Sequence, residues 1–393
     1  MSRRHLILAV TALAVGALTL TACSSPSAPS ESGPVDDSPI KLMVIESMTG
    51  VVGVDQTAPK GAEAAAAAIN AAGGINGREI EVLSCDSASD PNKASECARQ
   101  AIDEKVAAVV GSFDPIGSSV SVPILEAGGI PYLMPLATQP AEITSPVSFP
   151  GTGGAFVGQF GMAQLAIDSE CEVAVVLGDN ARDQGRTASL GDVLGDAGID
   201  ATIIDIAGAG ADVTPLVAQA LESDPDCILY AADGQIGVKL FAGFRKAGSD
   251  AQFISATGSL LPPFLAALGE GAEGLLAVSE LPSLGGEELA EFRDQMAEYQ
   301  PDVMPVNFTV YGWLGVQAFA AVAEGLDVIS AETVLAALSE TTDLEVPGLD
   351  PLDFTDAPSE NYPRLFNPSV RYFVVEGGMY VPLDDEWHEV SIP

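Results

Sequence analysis

Histidine, the side chain that most often moves protons in enzymes, is almost absent from this sequence. The chain has 393 residues and two histidines. His5 lies in an apolar N-terminal segment, and His388 lies in an acidic stretch near the C-terminus. A single histidine in the rest of the chain argues against most Ser/His and Cys/His nucleophile arrangements and against most zinc sites.

The glycine-rich run Gly151-Thr152-Gly153-Gly154 is compatible with a phosphate loop, but the lysine that such a loop needs does not follow it. No Gly-x-Gly-x-x-Gly run follows the first predicted strand, which argues against a dinucleotide site. With 55 acidic residues, paired carboxylates occur by chance at any spacing. Catalysis by carboxylates alone has no positive signal, and we expect no enzyme, no cofactor and no metal.

The first residues have the order of a secretion signal. Arg3 and Arg4 precede an apolar run over 6–20, which is shorter than the roughly 20 residues that span a membrane. Leu20-Thr21-Ala22-Cys23 then resembles the cleavage site of bacterial lipoproteins, in which Cys23 receives the lipid. The alternative is an ordinary secretory signal with an incidental cysteine.

We therefore expect residues 1–22 to be a signal peptide and residues 23–39 to be a lipidated cysteine with a flexible Ser/Pro-rich tether. The expected location is the outer face of the cytoplasmic membrane, held by the lipid anchor. The formal net charge is −39, and it becomes −41 once Arg3 and Arg4 leave with the signal. Such a charge repels nucleic acid and favours solubility.

Four cysteines remain after Cys23. Cys85 ends a predicted strand and Cys97 lies in the next helix, while Cys171 and Cys227 each begin a predicted strand. Pairs Cys85–Cys97 and Cys171–Cys227 suit an oxidising exterior. Four buried free thiols are the alternative. Metal ligation is disfavoured because the sequence has no Cys-x-x-Cys pair.

Strands and helices alternate along the chain, which predicts parallel sheets covered by helices on both faces. The first series of predicted strands is 40–45, 79–85, 106–111 and 131–134. A second series is 172–177, 201–206, 227–231, 252–255 and 274–278. Two helices follow at 287–298 and 307–323, then an irregular stretch and a hairpin over 370–382. The late elements must pack back on the two sheets, so we expect several crossings and a hinge.

Several motifs in correct order resemble the branched-chain amino-acid-binding proteins of ABC transporters, from about residue 40 to the C-terminus. The most specific one is the run 69–78 (INAAGGINGR). The others are Met48-Thr49-Gly50, Gly61-Ala62-Glu63, 86–91 (DSASDP), Gly111, Pro135-Leu136-Ala137-Thr138 and Asp183-Gln184-Gly185-Arg186.

The resemblance implies two Rossmann-like lobes with parallel sheets, joined by a three-crossing hinge, as in type I periplasmic binding proteins. We expect an N-terminal lobe of 40–150 plus about 283–350, and a C-terminal lobe of 151–282 plus about 351–393. The implied function is to capture an amino acid or similar small polar metabolite between the lobes by hinge closure. The implied partners are ABC permease subunits, and we expect a monomer.

The family grips a ligand carboxylate with main-chain amides and hydroxyls, a role that falls on the Leu136 amide and the Thr138 hydroxyl. For Thr138 a simple helix cap is the alternative. Other ligand positions depart from the family pattern: a serine falls near Asp114 or Pro115, and the ammonium-binding glutamate falls at Thr257. Three tyrosines of the family are also replaced here: one falls near Val54 or Asp55, one at Gln184 and one near Asp233.

Asp114 and Asp233 come just after predicted strand ends, and we hypothesise that one of them accepts a cationic group of the ligand. A loop cap is the alternative for each. Tyr311 and Trp313 are expected to pack in the core or to support the hinge. A sensory receptor lobe of the same fold is the second functional hypothesis, and a surface enzyme is the third.

Overall fold

The computed structural model describes residues 38–50, 57–179, 186–206, 212–232, 234–357 and 359–392. The predicted signal peptide, Cys23 and most of the tether lie outside these residues. Two α/β lobes make up the described chain, each built on its own sheet. The predicted fold class is therefore confirmed.

Five parallel strands form the sheet of the first lobe. They are β1 (Ile40–Glu46), β2 (Ile80–Asp86), β3 (Ala108–Val110), β4 (Tyr132–Leu133) and β5 (Ser148–Phe149). Their spatial order is β2-β1-β3-β4-β5. Leu42 and Val44 of β1 belong to the core on one face, and Met43 and Ile45 to the core on the other. Because both faces are buried, β1 is almost continuously apolar instead of alternating.

A larger sheet forms the second lobe. Its strands are β6 (Val173–Gly178), β7 (Asp200–Asp205), β8 (Cys227–Ala231), β9 (Gln252–Ala256), β10 (Leu276–Ser279), β11 (Ser369–Glu376), β12 (Met379–Pro382) and β13 (His388–Glu389). The order is β12-β11-β10-β9-β8-β6-β7, with β13 beside β11. Strands β6 to β10 are parallel, and β11 runs antiparallel to β10 and to β12.

Helices cover both sheets. In chain order they are α1 (Thr57–Ala71), α2 (Pro91–Asp103), α3 (Ser118–Gly128), α4 (Pro140–Thr144), α5 (Gly154–Asp168), α6 (Arg186–Asp196), α7 (Val213–Ala220), α8 (Gly234–Lys246), α9 (Pro262–Leu268), α10 (Ala290–Tyr299), α11 (Asn307–Ala323) and α12 (Ala331–Ser339). Short 3₁₀ helices lie at Leu221–Ser223, Gly269–Ala272 and Glu287–Leu289.

Helix α11 returns to the first lobe and packs directly on α1. A Cβ atom on Gly61 would overlap the Thr309 carbonyl, and one on Gly312 would overlap the Ala58 carbonyl. Glycine at these two positions lets the helix backbones approach closely. This contact fixes the start of α11, which reaches the gap between the lobes.

The chain passes between the two sheets three times. The first passage joins β5 to α5, and the second joins β10 to α10. The third lies between Phe354, in the core of the first lobe, and Leu365, in a core of the second. A body joined by several short passages can open and close by small rotations within them.

Both predicted disulfides are present. Cys85 of β2 is bonded to Cys97 of α2 in the first lobe, and Cys171 is bonded to Cys227 of β8 in the second. Within the described chain, one group of possible metal ligands lies close together, and it consists of Cys171, Asp226 and Cys227. The sulfurs of Cys171 and Cys227 are bonded to each other in a disulfide. Of the helices described, none is long and apolar enough to cross a bilayer.

Replacing each cysteine pair by alanine is expected to destabilise the protein by different amounts. The pairs are 12 and 56 residues apart, and the chain-entropy model gives about 3 kcal/mol for the shorter loop and about 4 kcal/mol for the longer. Urea unfolding of the two double variants measures the losses. A greater loss for Cys85/Cys97 than for Cys171/Cys227 would contradict the loop-length explanation.

Candidate functional site

A cavity of about 340 Å³ lies between the two lobes. Residues at or just after the carboxyl ends of strands from both sheets line this cavity. In the first lobe Phe113 follows β3 and Leu136 follows β4, and in the second Ala256 ends β9 and Glu280 follows β10. Parallel strands present their carboxyl ends at one edge of a sheet, and that edge is where open α/β sheets bind ligands.

Aromatic and aliphatic side chains form much of the cavity wall. Phe308, at the start of α11, stacks on Phe113 with ring centroids 4.5 Å apart. Met162 of α5 and Phe264 of α9 add apolar surface from the second lobe. The cavity therefore suits a ligand with an apolar body.

Helix α5 supplies the floor of the cavity from the second lobe. Ala155, Gly158, Gln159 and Met162 of this helix line the space. The position that a Cβ on Gly158 would occupy is 3.5 Å from a carboxylate oxygen of Glu280. The absence of a side chain at Gly158 therefore leaves room beside this carboxylate.

Leu136 and Thr138 line the cavity, as the family resemblance implies, but their polar groups bond within the first lobe. The Leu136 amide donates to the Ser112 carbonyl at 3.0 Å. The Thr138 amide and hydroxyl donate to Oε2 of Glu142 at 2.7 and 3.2 Å, and the Gln139 amide donates to the same oxygen at 2.8 Å. In this conformation, these groups are not directed at a ligand carboxylate.

Glu142 holds this loop from inside the first lobe. Its side chain is fully buried, and the Tyr132 hydroxyl donates to its other oxygen, Oε1, at 3.2 Å. Burial raises the pKa of Glu142 to about 7, and the amides of Thr138 and Gln139 oppose the rise. The sequence Gln139-Pro140-Ala141-Glu142 has the spacing of a capping box, a signal that could have identified Glu142.

The structure corrects the expectation that the Asp114 carboxylate faces the cleft. Asp114 is fully buried and does not line the cavity. Its Oδ1 accepts the Gly117 amide at 2.9 Å, just before α3 begins, which is the loop-cap alternative. Burial raises the pKa of Asp114, as expected for an acid enclosed within a lobe.

Two other predicted positions lie at the cavity or close to it. Pro115 lines it, and its carbonyl accepts Nε2 of Gln139 at 2.7 Å. Thr257 adjoins the lining residues, and its hydroxyl accepts Nδ2 of Asn307 at 2.9 Å, a bond between the lobes. Asp55, Gln184 and Asp233 lie outside the described residues, so their roles stay predictions.

Arg186 crosses the gap from the start of α6. Its Nε donates to Gln159 at 2.8 Å, and its Nη1 donates to the Thr138 carbonyl of the opposite lobe, also at 2.8 Å. The guanidinium lies over the Phe156 ring, 4.4 Å from the centroid. Arg186 therefore joins the lobes at the cavity. Sequence reasoning placed it in a motif but not in the cavity.

Glu280 is the acid that sequence reasoning missed. It lines the cavity, its residue is 7% exposed, and burial raises its pKa. The Tyr311 hydroxyl donates to its Oε1 at 2.9 Å, and the Thr152 hydroxyl lies 2.8 Å from that of Tyr311. Asp114 was considered as a ligand-binding residue because it comes just after a predicted strand end. Glu280 comes just after the end of β10, and the same rule could have identified it.

Comparison with known proteins agrees with this geometry. The chain belongs to the periplasmic binding protein family, whose model matches residues 39–360. The Leu/Ile/Val-binding protein homolog 1 of Brucella melitensis biotype 1 is 26% identical over 296 residues, covering 72% of this chain and 76% of that protein.

Solved structures share the fold. The branched-chain amino acid transporter substrate binding protein of Streptococcus pneumoniae, in complex with isoleucine, has a TM-score of 0.74 at 21% identity, covering 90% of this chain and 100% of that one. The fatty acid ABC transporter substrate-binding protein of Thermomonospora curvata has a TM-score of 0.75 at 17% identity, covering 90% and 93%. Because an amino acid and a fatty acid differ so much, the fold alone does not fix the ligand.

The raised pKa of Glu142 predicts how stability depends on pH. An acid whose pKa rises from 4.5 to about 7 on folding gives a contribution that is complete below pH 4.5 and lost as the pH rises through 7. Glu142→Gln should gain on the order of 3 kcal/mol relative to wild type between pH 4.5 and 8. Urea unfolding across this range measures the difference.

Glu222→Gln, at an exposed position of the second lobe, removes the same formal charge and is the control. Its unfolding free energy should follow the wild-type pH profile. A difference between Glu142→Gln and wild type that stays constant across the range would contradict the assignment.

Proposed function

We propose that this chain is the extracytoplasmic solute-binding component of an ABC importer. In this proposal it captures an amino acid or a related small polar metabolite in the inter-lobe cavity and delivers it to permease subunits. Cys23 carries the lipid that holds it at the outer face of the cytoplasmic membrane. The domain limits inferred from the sequence are part of the same proposal.

The observation that carries the proposal is a cavity lined by strand ends of both lobes. A solute that touches both walls makes all of its contacts when the lobes are closed, so its binding energy shifts the population toward the closed form. The relatives support this interpretation because they are named as binding proteins and not as enzymes.

Opening of the two lobes requires breaking the hydrogen bonds that cross the gap between them. The Arg186 bond to the Thr138 carbonyl and the Asn307 bond to Thr257 both cross the gap. Each net hydrogen bond contributes about 1 kcal/mol, so breaking either of these two bonds has a modest cost. A capture mechanism requires that the ligand can offset the cost of closing, since a strongly closed protein would not admit its ligand.

A side chain that fills the cavity tests the proposal. Gly158→Trp projects an indole beside Glu280, where the surroundings leave space, and should abolish solute binding by occupying the site. The measurement is a thermal melting screen with amino acids, amides, ureas and small carboxylates, because a ligand of the native state raises the melting temperature.

Gly195→Trp is the matched control, since Gly195 is an exposed helix glycine with no atom near its Cβ position. This variant should keep every ligand-induced shift of the wild type. A shift that survives in Gly158→Trp would place the solute outside the cavity, and the proposal would fail. So would the absence of any shift with wild-type protein across the screen.

A further inference from the structure

Glu280 is a carboxylate placed where an ionised group is costly to bury. The residue is 7% exposed at the junction of the two lobes, and it forms part of the cavity wall. Within the described residues, the Tyr311 hydroxyl and the residue's own main-chain amide are the groups that stabilise its charge. No lysine, arginine or histidine among them forms an ion pair with it. A buried charge without a counterion calls for a partner.

The basic residue among the described lining residues is committed to other partners. Of the described lining residues, Arg186 is basic, while Asp179 and Glu280 are acidic. The Arg186 guanidinium is already engaged by Gln159, by the Thr138 carbonyl and by the face of Phe156. Among the described residues, Arg186 therefore does not neutralise Glu280, which favours a cation beside this carboxylate.

The orientation of the Glu280 carboxylate is fixed by a chain of hydrogen bonds. A carboxylate can only accept, so the Tyr311 hydroxyl donates to Glu280 and must accept from the Thr152 hydroxyl. Thr152 belongs to the first passage between the lobes and Glu280 begins the second. Tyr311 is thus a positioning residue that holds the acid at the cavity.

The space next to Glu280 is open, and apolar side chains line the same cavity. The Cβ position of Gly158 lies 3.5 Å from Oε2 of Glu280 and 4.0 Å from the Ala256 methyl group. Phe113, Phe308 and Met162 supply apolar surface in the same cavity. A positively charged nitrogen fits beside Glu280, and an apolar body fits against these side chains.

The position that family resemblance assigned to the ligand ammonium does not offer such a site. Thr257 has no charge, and its hydroxyl is bonded to Asn307. Asp114 is turned into the first lobe. The amide and hydroxyl groups expected to grip a carboxylate are bonded to Ser112 and Glu142.

We propose that Glu280 binds a positively charged nitrogen of the ligand, and that the ligand class is a small amine or amidine with an apolar body. A carboxylate on the ligand is not required. This inference rests on the proposed function, because it assigns the chemistry of the same cavity. It adds a ligand-binding residue and a ligand class to that proposal.

The test is a melting screen with sets of compounds that share an apolar skeleton and differ in one group. For the 3-methylbutyl and benzyl skeletons, the primary amine is compared with the corresponding carboxylate and neutral primary amide. The amines should raise the melting temperature, and the carboxylates and amides should not. Stabilisation by the carboxylates or amides alone, or by no compound of the set, would overturn the inference.

Glu280→Gln keeps the size of the side chain and an oxygen for the Tyr311 hydroxyl, but removes the charge. It should weaken amine binding at least tenfold in titration calorimetry. Its melting temperature without ligand should equal or exceed that of wild type, because burial disfavours the ionised carboxylate. Asp212→Asn removes an exposed negative charge at the start of α7 and should leave amine affinity unchanged.

The variants separate the failure of this inference from the failure of the proposed function. If Glu280→Gln binds the amines as tightly as wild type while Gly158→Trp does not bind them, the cavity site stands and the role of Glu280 is wrong. If Gly158→Trp also binds them as tightly as wild type, the solute is not in the cavity, and both proposals fail.

Discussion

The burial of one carboxylate between two lobes is the constraint around which the other groups of the site are arranged. Glu280 leaves the end of β10 at the point where the chain turns back to the first lobe. Water cannot relieve its charge there as it would at the surface. The Tyr311 hydroxyl therefore donates to it, and the Thr152 hydroxyl bonds in turn to the hydroxyl of Tyr311. This chain of bonds links the cavity to two of the segments that join the lobes.

Two single hydrogen bonds at this junction are relevant to the proposed capture mechanism. Arg186 reaches a carbonyl of the opposite lobe and Asn307 reaches Thr257. These bonds close the gap without making closure irreversible, because their net contributions are small. In the proposed capture mechanism, the ligand contributes free energy to closure by satisfying groups on both walls at once. In this mechanism, the fraction of closed protein depends on whether the cavity holds a ligand, because a ligand shifts the population only by binding the closed form more tightly.

The two-lobe fold followed from the sequence because strand and helix periods alternate clearly over most of the chain. In the sequence, Gly61 was noted only as part of a family motif. The structure gives the physical reason for a glycine at this position, which is the close contact of α1 with α11. Helix α5 was missed, because Gly154–Asp168 is rich in glycine and apolar on all sides. It has no amphipathic period to detect, since it is enclosed by the second lobe.

The site was harder to predict than the fold. The rule that ligands sit beyond strand ends selects an edge of a sheet, but it does not say where a side chain points. Asp114 satisfies the rule and turns inward to cap α3, whereas Glu280 satisfies it and faces the cavity. Thr138 lines the cavity, yet its partner Glu142 decides where its polar groups are directed. These choices depend on tertiary packing, which a single sequence does not display.

Hydrogen–deuterium exchange with and without a stabilising solute tests most directly whether the ligand is held between the lobes. We predict slower exchange on both walls together, in segments 112–117 and 136–139 of the first lobe and 155–162 and 256–261 of the second. Slower exchange confined to one lobe, or to a surface away from these segments, would contradict capture between the lobes.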